Sequence, residues 1–123
     1  MEKLTKKQIL QKSEDISRVL KTRGVSKKHL SFYKNPSQEE LSRLGLAIPK
    51  KNAKRAIDRN RIKRVIREAF RKSKNLVTVD LVVKLHAPIG LKTKRRLREP
   101  ERRVIQKQVQ EFFINNAKEN LVL

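Results

Sequence analysis

Apolar positions along this chain recur with two periods, and the periods divide it into helices and strands. Ile16, Val19 and Leu20 stand three and four apart after Ser13, Glu14 and Asp15, which predicts a short helix. A serine hydroxyl accepts from the free N–H groups of a first turn, and acids suit its positive end. Gly24 reads as the stop of that helix, and an earlier turn is expected to carry Ile9 and Leu10. From Leu30 to Lys34 the period shortens to two: Leu30 and Phe32 alternate with Ser31 and Tyr33, as in a strand with one buried face. Asn35, Pro36 and Ser37 are expected to form a loop. A second strand is predicted from Arg43 to Ile48, with Leu44, Leu46 and Ile48 on one side, Gly45 and Ala47 on the other, and Pro49 at its end.

The segment from Ala53 to Lys72 carries the strongest helical pattern. At 100° per residue Ile62, Val65, Ile66, Ala69 and Phe70 fall in one arc, while Asn60, Arg64, Arg67 and Arg71 form a stripe opposite, flanked by Arg61 and Lys63. Asp80 to His86, DLVVKLH, is nearly all apolar and predicts a strand buried from both faces. After it the run KTKRRLREPERR is dense in charge. Pro100 is allowed in the first turn of a helix but not in its middle, so a final helix is expected to start there. Its apolar face would comprise Val104, Ile105, Val109, Phe112 and Phe113, ahead of a loose LVL tail. The order helix, strand, strand, helix, strand, helix, with no repeat and no internal linker, predicts one α+β domain over residues 1–123: a small mixed sheet with packed helices.

Charge changes the picture from a generic small fold to one with a polyanionic partner. Lysine and arginine number 33 against 12 acids, a formal charge of +21, and nucleic acid would relieve that self-repulsion. Only Asp58 and Glu68 stand among the basic residues between Lys54 and Lys72, too few to turn the stripe into a lattice of local ion pairs. Guanidinium groups at i, i+3 and i+7 on a rigid rod match phosphate oxygens in a bidentate way. Asn60 is equally compatible with a helix cap and a contact, and Tyr33 with a structural ring and a stacking platform. The four phenylalanines read as core. His29 and His86 lack ligand spacing, and no carboxylate pair, nucleophile elbow or glycine-rich phosphate loop is present, with only three glycines in the chain. Cysteine is absent, which excludes disulfides and thiolate metal sites. MEKLTKKQIL lacks the apolar stretch of a signal peptide, and no run approaches the roughly 20 apolar residues that span a bilayer. A cytoplasmic protein with no membrane partner is therefore expected, and nothing implies oligomerisation.

PKKNAKRAIDRNRIKRVIREAF, from Pro49 to Phe70, resembles the protein component of bacterial ribonuclease P, whose signature centres on the Arg-Asn-Arg found here at 59 to 61. SEDISRVLKTRG is similar to the family's opening helix, LSFYKN and RLGLAIPKK to its paired strands, and DLVVKLHAP to its later strand. The resemblance covers most of the chain to about Pro88 and leaves the basic insert at 92–103 unmatched. It implies a ribosomal-protein-like fold with a left-handed βαβ crossover, where the general rule predicts a right-handed one. It also implies an accessory subunit of an endonuclease that matures the 5′ end of tRNA, with the chemistry in the RNA and the holoenzyme's Mg2+ held mainly by RNA. The implied RNA-binding residues are Lys50, Lys51, Arg59, Asn60, Arg61, Lys63, Arg64, Arg67 and Arg71. A cleft for the 5′ leader of precursor tRNA would be lined by Ile16, Leu20, Ser31 and Tyr33. The family commonly has phenylalanines where this chain has Ile16 and Leu20, which leaves Tyr33 as the ring of that cleft, and commonly serine where it has Pro49. A structural ribosomal protein shares the charge and fold class but not the signature. A DNA-binding regulator would need helix-turn-helix spacing or dimerisation heptads, and neither is found.

Overall fold

A computed structural model of the chain describes residues 8–10, 13–36, 42–73 and 79–122. Its elements are α1 (Ser13–Leu20), β1 (Val25–Ser26), β2 (Leu30–Pro36), β3 (Arg43–Ala47), α2 (Ala56–Lys72), β4 (Val79–Leu85) and α3 (Glu99–Val122). The predicted order holds, with the two-residue β1 added. The strands form one sheet in the order β1-β2-β4-β3. β2 runs antiparallel to β1 and β4, while β3 and β4 are parallel and joined through α2. This is the mixed α+β architecture that the alternation of periods predicted.

β4 is central, and its DLVVKLH run explains itself there. Leu81, Val83 and Leu85 join the core built with α2 and α3, whereas Val82 packs with Leu10 and Val19 on the α1 side. α2 contributes Ile62, Ile66 and Phe70, one turn apart and buried, with Val65 and Ala69 partly buried beside them. From α3 come Ile105, Val109, Phe112 and Phe113. Phe112 stacks on Phe32 of β2 at 4.2 Å between ring centres and 6° between planes, and meets Phe113 edge-on at 5.4 Å. A stacked pair adds roughly 0.5–1.5 kcal/mol to the area it buries, so α3 is held to the sheet at a defined point.

Several boundaries differ from expectation for identifiable reasons. β2 continues through Asn35 and Pro36, because β1 pairs only with Ser31 and Phe32 and leaves the outer side of β2 free of a ladder that needs the proline's missing donor. The predicted Ser37 loop position lies outside the described residues. Ile9 forms a parallel bridge to Leu44, and Leu10 N–H donates to the Leu44 carbonyl at 2.8 Å, an extended segment rather than a helical turn. α1 ends at Leu20 instead of running to Gly24. Gly24 serves a close approach, since a Cβ there would lie 2.5 Å from Tyr33 Cε1. α2 starts at Ala56, three residues later than expected. α3 begins at Glu99 with Pro100 in its first turn and extends to Val122, so most of the expected tail is helical. Val104 points outward and Gln108 takes the inward place.

Candidate RNA interface

α2 presents two opposed faces because its apolar residues are anchored one turn apart. With Ile62, Ile66 and Phe70 buried, Asn60, Arg64 and Arg67 are exposed, Lys63 is partly covered, and Arg71 is half-buried at the C-terminal end. Among the described residues Arg64 and Arg67 have no acidic partner. Asp58, one of the two acids available to the stripe by sequence, is turned inward and only 1% exposed. Its Oδ2 accepts from the Leu97 N–H at 3.1 Å and lies 3.6 Å from Arg55 Nε. The charge of the stripe is therefore less neutralised than its sequence indicates.

Arg59 and Arg61 stand apart from that stripe. Arg59 Nη1 donates to the carbonyls of Ala53 and Lys54 at 2.9 and 3.0 Å, which stabilises the approach to a helix whose N-cap, Arg55, makes no side-chain cap bond. Arg61 Nη2 lies 3.8 Å from Glu99 Oε2, and its Nη1 is 3.5 Å from the Leu97 carbonyl. Lys50 and Lys51 are exposed on the turn before α2. The turn is held by Asn52, whose buried amide donates to the Leu85 carbonyl at 2.8 Å and whose own carbonyl accepts from Ile89 N–H at 2.9 Å.

The four expected cleft residues share the opposite face of the sheet. Ile16 and Leu20 of α1 and Tyr33 of β2 pack together against Val19 and Val82. Ser31 is on the same face of β2 but nearly closed off, with its hydroxyl 3.1 Å from that of Ser26. One register row crosses all four strands as Ser26, Ser31, Lys84 and Ala47, and Lys84 is exposed there. Lys84 was missed by sequence reading, although its signal is present as the single charge interrupting DLVVKLH. A second omission is Arg43, which clamps Asp80 through Nε–Oδ1 and Nη2–Oδ2 bonds of 2.8 and 2.7 Å and approaches Asp15 at 3.9 Å. This ties α1, β3 and β4 into one wall.

His29 is buried by α3. Gln108 Oε1 accepts the His29 backbone N–H at 3.0 Å, so the Gln108 amide nitrogen donates to Nδ1 at 2.9 Å. That leaves the ring's Nε2 facing Glu101 Oε2 at 3.4 Å. Burial pushes the imidazole below its ordinary value, and the Glu101 carboxylate offsets this in part. Among the described residues no group of three or more His, Cys, Asp or Glu side chains could hold a metal ion, and no helix is long and apolar enough to cross a membrane.

Fold and surface together define a class: small α+β proteins in which a basic helix joins two parallel strands of a mixed sheet. A family model described as Ribonuclease P matches residues 4–109. The ribonuclease P protein component of Aromatoleum aromaticum is 38% identical over 92 residues, covering 73% of this chain and 77% of that one. The chain belongs to the ribonuclease P protein family. Its fold matches the RNase P protein of Staphylococcus aureus, with a TM-score of 0.65 at 24% identity over 90% of this chain and 93% of that one. The fold of the Thermotoga maritima RNase P protein, solved in complex with 1-(4-fluorophenyl)-2-thiourea, matches with a TM-score of 0.63 at 20% identity over 80% of this chain and 91% of that one.

Proposed function

We propose that this chain is the protein subunit of a bacterial ribonuclease P, binding the catalytic RNA through α2 and the 5′ leader of precursor tRNA through the α1 face of the sheet. The observation that carries the reading is the α2 surface. Arg64 and Arg67 are exposed without acidic partners among the described residues, beside Asn60, in a chain of +21 formal charge. Planar guanidinium forks on a rigid helix suit phosphate oxygens, and each contact releases condensed counterions. On the other face, Tyr33 offers a ring, Ile16 and Leu20 offer apolar contact, and Lys84 offers a cation to a single strand.

The chain's part is positional. It holds RNA and leader on opposite sides of one sheet and lowers the repulsion between two polyanions. Hydrolysis of the phosphodiester is assigned to the RNA with the Mg2+ that it binds. The test combines the purified chain with a bacterial ribonuclease P RNA and a precursor tRNA at low magnesium. Release of the 5′ leader should be strongly stimulated, and an unchanged rate would sink the proposal.

A further inference from the structure

The basic run that follows β4 shows no periodic pattern, lies within the residues that the family model matches, and is an ordered loop. Residues 90–98 close on themselves: the Gly90 carbonyl accepts from the N–H groups of Thr93 and Arg95 at 3.2 and 2.7 Å, and Thr93 Oγ1 donates to the Arg96 carbonyl at 2.6 Å. Gly90 has φ +69°, and a Cβ there would come within 2.5 Å of the Arg95 and Arg96 backbone. Lys94 and Arg95 both adopt left-handed φ, 53° and 63°. L residues other than glycine resist that conformation, so surrounding contacts must impose it.

Those contacts run to the N-terminal end of α2. Leu97 is 3% exposed within the main core, and its N–H is held by Asp58. Arg95 Nη2 donates to the Lys51 carbonyl at 2.8 Å, at the cost of leaving its Nε buried and without a partner among the described residues. Gly90 N–H donates to Glu101 Oε1 at 2.8 Å, which fixes the other end of the loop to α3. The outcome is that Lys92, Lys94, Arg96 and Arg98 are all exposed, with no acidic partner among the described residues. The Arg95 bond brings the loop to the turn that carries Lys50 and Lys51 ahead of α2, while Lys92 and Arg98 border a cavity with Lys28 and His29.

We infer that loop 90–98 is a second RNA-binding platform, which seats a further stretch of the catalytic RNA's backbone beyond the N-terminal end of α2. Lys92, Lys94, Arg96 and Arg98 contact phosphates. Asp58, Arg95 and Leu97 are positioning residues that fix where those cations stand. The inference rests on the reading of α2 as RNA-binding, and it commits to RNA because the loop is pinned to the turn before that helix and to its first residues, through Lys51, Asp58 and Arg61. A flexible basic tail would also attract RNA, but it would have no need of a buried leucine, a buried aspartate and two left-handed residues to hold its shape.

The test measures the affinity of the full chain for a bacterial ribonuclease P RNA as a function of salt. Replacing Lys92, Lys94, Arg96 and Arg98 together by glutamine should flatten log K against log salt by about 0.7–0.9 per lost phosphate contact. Arg64→Ala with Arg67→Ala should flatten it in the same manner. A loop variant that binds as the parent does, beside a stripe variant that does not, overturns the platform and leaves the α2 reading intact. If neither variant changes the slope, the α2 reading itself fails. Asp58→Asn discriminates organisation from bulk charge: it raises the net charge by one, so diffuse attraction predicts tighter binding, whereas a loosened platform predicts weaker binding. Tighter binding by a variant that still unfolds cooperatively overturns the positioning role. The chain has no cysteine, so Lys92→Cys can carry a tethered iron chelate for hydroxyl-radical mapping independently of any stability change. Cleavage should fall on nucleotides next to those cut from Ile57→Cys, an exposed position in the first turn of α2, and no RNA cleavage from position 92 overturns the platform.

Discussion

The two faces of the sheet are built with unequal depth. On one, α2 and α3 cover Leu30, Phe32, Leu44, Leu81, Val83 and Leu85 with two long helices and a Phe32–Phe112 stack. On the other, α1 has eight residues, and its buried Val19 clusters with Leu10 and Val82, with Ile16, Leu20 and Tyr33 only partly covered. Under the proposed function, the difference separates stability from binding. Burial stabilises in proportion to apolar area removed from water, so the thick face can carry the fold while the thin face keeps surface available for a ligand.

The largest effect should come from cutting the thick face. Phe32→Ala removes a fully buried ring and its stack and should cost about 3–5 kcal/mol in urea unfolding. Val19→Ala in α1 should cost about 2 kcal/mol, and equal losses would mean the faces contribute alike. A smaller effect, in binding, should come from Tyr33→Ala. Losing one stacked base weakens affinity by roughly 1–3 kcal/mol, and the loss should appear with precursor tRNA but not with mature tRNA, which has no leader. Similar losses with both would remove Tyr33 from the leader site.

The smallest effect concerns the join between sheet and α3. Because burial lowers the folded imidazole of His29 below 6.5, the unfolded chain takes up a proton there that the folded chain refuses. Stability contributed by this group is present above pH 6.5 and declines as pH falls below it. His29→Asn keeps an acceptor toward Gln108 and removes the titration, so its unfolding free energy should vary less between pH 7 and pH 5 than the parent's. Identical pH profiles would show that His29 takes up its proton equally in both states.

Much of this architecture was legible before any coordinates. Period-two runs located β2 and β3, the nearly continuous apolar run DLVVKLH located β4, and the period of 3.6 placed Ile62, Ile66 and Phe70 inward with Arg64 and Arg67 outward, because side-chain direction in regular elements follows from backbone geometry alone. Regular elements were less legible where pairing set their limits: Pro36 looked like a loop until β1 proved too short to compete for it. Gln108 and Val104 exchanged places because a polar side chain is admitted to the interior when it has a partner, and that partner, His29, lies 79 residues away.

The sequence by itself determined the order of the elements, the charged face of α2, and the membership of the ribonuclease P family that the Arg59-Asn60-Arg61 signature announced. Tertiary structure decided which of those cations are free. Arg59 is bent back onto the Ala53 and Lys54 carbonyls, Asp58 is withdrawn from the stripe to hold Leu97, and an aperiodic run of lysines and arginines becomes a fixed loop beside α2. Periodicity reports where a side chain points from its own backbone. Whether its charge is paired, buried or left to solvent depends on segments brought near it by folding, and no local pattern in the chain encodes those neighbours.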